Sequence, residues 1–237
     1  MKYAVSGCRG ITLVELLVAL AMGSMLVAAV YTVYLNQIRG QAVQEATLDL
    51  QQGFRAALLI MKDEIRSAGA DPTGRAGAEI LTAKPDALHF TRDVIHVSGS
   101  GRFDGETTGP KEDIRYAVNS NGALGRETCR PKKGGAKTCS GLQAMVNHVD
   151  LLEFLYLDET GGRLTPVELQ TRAGRNRIRQ VQMTIVARLA NSGRGLLSRY
   201  TDRRIYTNQF GEPLMEKPFT DNNRRLLLTT TIALRNP

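Results

Sequence analysis

Glu15 is the only charged residue between Thr12 and Gln37, and it stands where a long apolar run begins. An ionised carboxylate at bilayer depth costs about 2.5–3.5 kcal/mol on insertion scales, so its chemistry would be that of a charge in need of a cationic partner. An isolated carboxylate here could also sit at the interface and reach water. Other candidates are sparse. His89, His96 and His148 show no metal-ligand spacing, and the chain has no GxSxG, HExxH or phosphate-cradling loop. Surface or hydrogen-bonded histidines are the reading that follows. Cys129 and Cys139 flank a loop without histidine, and their spacing argues against zinc. The run Asp104, Glu106, Asp113 and the trio Asp221, Asn222, Asn223 offer oxygens of the kind calcium takes, but irregularly spaced, and both read as solvated turns. No metal, cofactor or catalytic residue is expected, and the chain reads as a non-enzyme. The loop RPKKGGAKT carries Lys132, Lys133 and Lys137. It is the best place for contact with DNA or an anionic surface, although a solvated loop is the plainer reading.

The elements that must carry these residues begin with Leu16 to Leu35, twenty residues without a charge. At about 1.5 Å rise per residue they cross a hydrocarbon core about 30 Å thick. Lys2 and Arg9 precede the run closely, which places the amino terminus in the cytoplasm and the rest of the chain outside. Val5, Ser6, Gly7 and Cys8 imitate a lipoprotein box, but the apolar stretch follows that box when it should precede it. With 237 residues, 42% apolar and 23% charged, the remainder is one ordinary globular domain. The net charge is +8, or +6 without Lys2 and Arg9, and is dispersed along the chain.

The string RGITLVELLVAL resembles the processing motif of type IV prepilins and pseudopilins: a basic leader ending in glycine, a hydrophobic residue, Thr, two apolar residues and Glu. The first mature residue in that family is usually Phe, where this chain has Ile11. The resemblance implies cleavage by prepilin peptidase between Gly10 and Ile11, N-methylation of Ile11, and a part in assembly register for Glu15 and Thr12. It also implies other partners: major and other minor pilins, an inner-membrane assembly platform, and membrane lipid before assembly. Cleavage would create an α-amino group on Ile11, with Glu15 about 6 Å up the helix. A neighbouring subunit displaced by about one such step would bring the two charges together, and two charges that are costly alone in an apolar core become tolerable as a pair. Loss of the leader removes Cys8, and in an exported domain Cys129 and Cys139 then read as a disulfide closing a short loop.

Downstream, no proline occurs before Pro72, and Ile38, Ala42, Ala46, Leu50, Phe54, Leu58, Met61 and Ile65 recur at steps of four and three. That is one stripe of a helix running from Ile11 to Ala68, to be laid against a sheet. Short strands follow at Glu79 to Ala83 and Ala87 to Val94, joined through Lys84, Pro85 and Asp86. A hairpin joins Ile114 to Val118 with Ala123 and Leu124, and longer strands cover Val149 to Asp158 and Ile178 to Leu189. Val97 to Lys111 reads as a surface loop and Asn191 to Asn223 as a long polar segment with Tyr200, Tyr206 and Phe210. The alternation of Val181, Met183, Ile185, Ala187 and Leu189 gives the sheet one buried face. The last strand is RRLLLTTTIALRN.

NRIRQVQMTIVARLAN and RRLLLTTTIALRN resemble, more loosely, segments of PilW-type minor pilins, relatives of the J-type pseudopilins of type II secretion. Major pilins often carry a proline in the buried half of the helix, absent here. The expected fold is α+β, type IV pilin-like: a long helix, transmembrane then amphipathic, packed on an antiparallel sheet. Its parts are a leader at 1–10, helix halves at 11–35 and 36–68, and a β-rich periplasmic domain at 69–237. The expected function is a minor pilin in pilus assembly or initiation. A type II secretion pseudopilin and a single-pass membrane-anchored receptor or binding module stand as alternatives.

Overall fold

The structure, a computed structural model, describes residues 10–95, 102–131, 137–189 and 201–235. The leader residues Met1–Arg9, His96, Lys132, Lys133 and Tyr200 lie outside the described residues. The chain divides into two compact units, Met1–Glu45 and Ala46–Pro237, and the division falls inside a single helix, α1 (Leu13–Arg66).

In the first unit α1 buries nothing: each large apolar residue from Leu13 to Tyr34 is more than half exposed. A helix apolar all round needs lipid or other helices as its surroundings. Its two small aliphatic hydroxyls are satisfied within the helix, Ser24 Oγ donating to the Ala21 carbonyl at 2.9 Å and Thr32 Oγ1 to the Ala29 carbonyl at 2.7 Å. Such local bonds remove the cost of placing hydroxyls in apolar surroundings.

In the second unit the stripe of α1 narrows to Phe54, Ala57, Met61 and Ile65, with Leu50 and Leu58 partly buried. The amphipathic pattern extends upstream to Ile38, but packing begins only near Leu50. The helix stops at Arg66, two residues before Ala68, because Gly69 turns left-handed at φ +74° and its N–H leaves the helix to donate to the Thr91 carbonyl at 2.9 Å.

Two antiparallel sheets form where the sequence suggested one. The first contains β1 (Ile80–Ala83), β2 (Ala87–Thr91), β3 (Asp113–Val118), β4 (Leu124–Pro131), β5 (Lys137–Cys139) and β6 (Gln143–Val146), in the order β1-β2-β3-β4-β5 with β6 also paired to β4. The second is β7 (Val149–Leu157), β8 (Gln180–Arg188) and β9 (Arg225–Ala233) in that order. β4 extends well past the expected two residues, and β5 and β6 are additional. A 3-10 turn at Glu168–Gln170 and a short α2 (Arg172–Arg175) bridge β7 and β8. The expected hairpin between β3 and β4 is present: Asn119 Oδ1 accepts the N–H groups of Asn121 and Ala123, both at 3.0 Å, and Gly122 supplies φ +68°.

Both sheets share one core with α1, in which Leu88, Phe90, Ile114 and Tyr116 meet Phe154, Tyr156, Val181, Met183 and Ile185. The expectation of a single buried face on the second sheet is corrected. Gln182, Thr184 and Val186, on the opposite face of β8, are buried as well. The described part of the polar segment folds over them: Gln209 bonds to Gln182 and Thr231, and Asn208 Nδ2 donates to Glu153 at 3.1 Å. Gln182 Nε2 finds a partner in Gln209, whereas Gln182 Oε1 and Thr184 Oγ1 are buried without one, so this second face is closed by packing as much as by hydrogen bonding.

Candidate functional site

Gly10 and Ile11 precede α1 with both residues exposed, Ile11 at 77%. Thr12 is the residue before the first helical position. Its Oγ1 accepts the Glu15 N–H at 3.2 Å, and its carbonyl accepts the Leu16 N–H at 3.1 Å. This is the threonine half of a capping box, T-x-x-E, ahead of an apolar run. The signal was present in the sequence and gives Thr12 a structural reason independent of assembly. Glu15 lies in the first turn, where a negative charge complements the helix dipole. Its exposed carboxylate makes no ion pair among the described residues, so it can take a cation from outside its own chain.

The peptide bond after Gly10 thus leads straight to a capped helix whose first half is apolar apart from one acid in its first turn. Within the described residues, α1 is the one helix long and apolar enough to cross a membrane.

The cysteines meet as expected. Cys129 on β4 lies directly opposite Cys139 on β5, and a disulfide joins them. Of the three lysines in that loop, Lys137 is exposed but paired, its Nζ donating to Asp113 Oδ2 at 2.6 Å, which reduces the charge left for nucleic acid. The other oxygen of Asp113 bonds His89 Nε2 at 2.7 Å, so His89 is a hydrogen-bonded structural histidine. Burial pushes the Asp113 carboxyl up, but the bonds from His89 and Lys137 outweigh it and hold the group below the usual range. His148 is exposed, in a left-handed turn at φ 61°.

The structure separates the suggested oxygen run: Asp113 serves His89 and Lys137, while Glu106 accepts the Thr108 hydroxyl at 2.8 Å. In the distal trio, Asp221 receives Arg225 through Nη1 at 2.7 Å and Nη2 at 2.6 Å. Arg225 also donates to Asp150 at 2.6 Å and lies 3.5 Å above the centre of the Phe219 ring. Burial opposes the charge on Arg225, yet its carboxylate partners raise its pKa above the ordinary value.

A second buried ionic group was not anticipated. Glu64, on the packed face of α1, accepts from Arg126 Nε at 2.8 Å, Arg126 Nη2 at 2.6 Å and Arg92 Nη2 at 3.4 Å, and is also bonded by the Tyr116 hydroxyl. Burial, then the Glu64 carboxylate, pushes the Tyr116 phenol far up, so it stays a donor. These groups lock the packed half of α1 to the first sheet.

Comparison with known proteins agrees with the amino-terminal geometry. Residues 5–31 match the prokaryotic N-terminal methylation motif. By that motif and by its apolar helix with antiparallel sheets, the chain is type IV pilin-like, and it fits a membrane-anchored pilin. Among solved structures, a type IV-like pilin from Thermus thermophilus is similar at 14% identity with a TM-score of 0.48, over 78% of this chain and 96% of that one. No curated protein matches. The motif implies processing by prepilin peptidase and pilin partners.

Proposed function

We propose that the chain is a minor pilin subunit of a type IV pilus, of the PilW type, with a structural and not an enzymatic role. Prepilin peptidase cuts after Gly10, the new amino terminus is methylated at Ile11, and the subunit waits in the inner membrane before entering the filament. The observation that carries this reading is the placing of Glu15. It is an exposed acid in the first turn of an unpacked apolar helix, one turn beyond a bond whose cleavage would create an α-amino group.

In the filament, Glu15 of one subunit meets the amino group of Ile11 on a neighbour, and each charge relieves the cost of burying the other. The apolar surface from Leu13 to Tyr34 passes from lipid to neighbouring helices, so the transfer is nearly neutral in hydrophobic terms. The Cys129–Cys139 disulfide supports an oxidising compartment for the second unit. The absence of proline throughout α1 favours a minor over a major subunit.

Mass spectrometry of the protein from cells with and without prepilin peptidase tests this. The expected product is a chain beginning at Ile11 with a methyl group, dependent on the peptidase. An intact Met1 in peptidase-competent cells would overturn the proposal and favour a permanently anchored binding module.

A further inference from the structure

Three carboxylates from three parts of the second unit converge beside the end of β2. Asp93 follows that strand, Asp104 lies in the connection to β3, and Glu112 immediately precedes β3; one oxygen from each lies within 4.8 Å of the others. Asp93 and Glu112 are 1% and 0% exposed, whereas Asp104 is open to solvent.

Backbone groups fix the arrangement. Asp93 Oδ2 accepts the Gly105 N–H at 3.2 Å, and Asp104 Oδ1 accepts the Glu106 N–H at 2.9 Å. Glu112 accepts the N–H groups of Val94 at 3.2 Å and Gly109 at 2.6 Å. The accepting oxygens of Asp93 and Asp104 each have a second lone pair. Asp93 Oδ1 is buried with no hydrogen-bond partner at all, and no lysine or arginine among the described residues pairs with Asp93 or Asp104. A buried carboxylate oxygen without a donor, set among further carboxylates, is costly unless a cation answers it.

We propose that Asp93, Asp104 and Glu112 form a calcium site that ties the loop before β3 to the end of β2. Oxygens this close fit on one coordination sphere of radius about 2.3–2.6 Å, the calcium–oxygen distance. An irregular, partly buried set of carboxylates, completed by water and backbone carbonyls, suits calcium. Magnesium demands near-octahedral geometry and gives up its water reluctantly. Asp104, the exposed member, is the way in. This site stands on the geometry of the second unit alone and is independent of the filament reading.

The test uses the full chain, purified in detergent and stripped with a chelator, titrated calorimetrically with calcium chloride and with magnesium chloride. One calcium per chain is expected, with Asp104→Asn weakening binding about tenfold or more. Glu106→Gln, a neighbouring acid outside the trio, should bind as the parent does. Calcium should raise the melting temperature of the parent and of Glu106→Gln but not of Asp104→Asn. Because asparagine keeps the oxygen that accepts the Glu106 N–H, Asp104→Asn is expected to fold, and Asp93→Asn is the second variant. Absence of saturable calcium binding by the folded parent, equal affinity for magnesium, or unaltered binding in Asp104→Asn would each overturn the assignment.

Discussion

Arg126 on β4 grips Glu64 on α1 with a two-pronged pair of hydrogen bonds, Nε to Oε2 at 2.8 Å and Nη2 to Oε1 at 2.6 Å. Glu64 is 6% exposed, so the fork is made away from water, and Arg92 and Tyr116 complete its environment. Removing one partner of such a group leaves the others charged or unsatisfied in the core. Glu64→Ala should therefore destabilise the second unit by about 3–5 kcal/mol. Glu64→Gln, which keeps the shape but loses the charge, should cost less. Urea unfolding of the full chain in detergent measures both; a change below about 1 kcal/mol for Glu64→Ala would show that the fork contributes little.

The disulfide is the second test. Cys129 and Cys139 face each other across β4 and β5, and Lys137, two residues from Cys139, reaches Asp113 on β3. Opening the bridge should cost about 2–3 kcal/mol, the chain-entropy value for a short loop. Protein taken from cells under non-reducing conditions should show no maleimide labelling at either cysteine, and both should label after reduction and denaturation.

Acid titration is the third test, and the sign follows from two carboxylates. The bonds from Arg225 hold Asp221 far below the ordinary carboxylate range against the effect of burial, and Asp113 is also depressed. A depressed carboxylate contributes stability that is fully present above its unfolded value near 3.9 and is lost as pH falls through its folded value. These two groups therefore leave the melting temperature flat between about pH 7 and pH 5, with the loss setting in below about pH 4. Asp221→Asn should melt lower at pH 7 and lose less on acidification to pH 3. Parallel pH profiles for parent and variant would exclude this linkage.

The helix and most strands were legible because periodicity and turn residues are local signals. The run free of proline as far as Pro72 gave α1, and Asn119 to Gly122 gave the hairpin between β3 and β4. What was hidden depends on distance along the chain. Glu64 meets Arg92, Tyr116 and Arg126 at separations of 28, 52 and 62 residues, so nothing beside Glu64 marks it as buried. Asp93 escaped for the same reason, since its neighbours Asp104 and Glu112 come from other segments. The split into two sheets was equally invisible, because alternation identifies a strand without naming its partner. At the amino terminus the motif was plain, yet Thr12 was read only through assembly although its spacing to Glu15 spells a helix cap.

That double role of Thr12 and Glu15 makes the last prediction a separation of cap from charge. Thr12→Ala removes the acceptor for the Glu15 N–H and should weaken the first turn by about 1 kcal/mol, while Thr12→Ser restores it. Gln serves as well as Glu at the third helical position of a capping box, so Glu15→Gln leaves the local helix start intact and removes only the charge. If the carboxylate pairs with the amino terminus of a neighbouring subunit, Glu15→Gln should be processed at Gly10 normally but recovered poorly in sheared filaments, and Glu15→Asp should retain part of the incorporation. Immunoblots of membrane and filament fractions, with mass spectrometry of the amino terminus, separate processing from incorporation. Equal recovery of Glu15→Gln and the parent in filaments would leave the helix cap and dipole as the sole work of this residue. Loss in Thr12→Ala rescued by Thr12→Ser, alongside normal Glu15→Gln, would locate the requirement in the first turn itself.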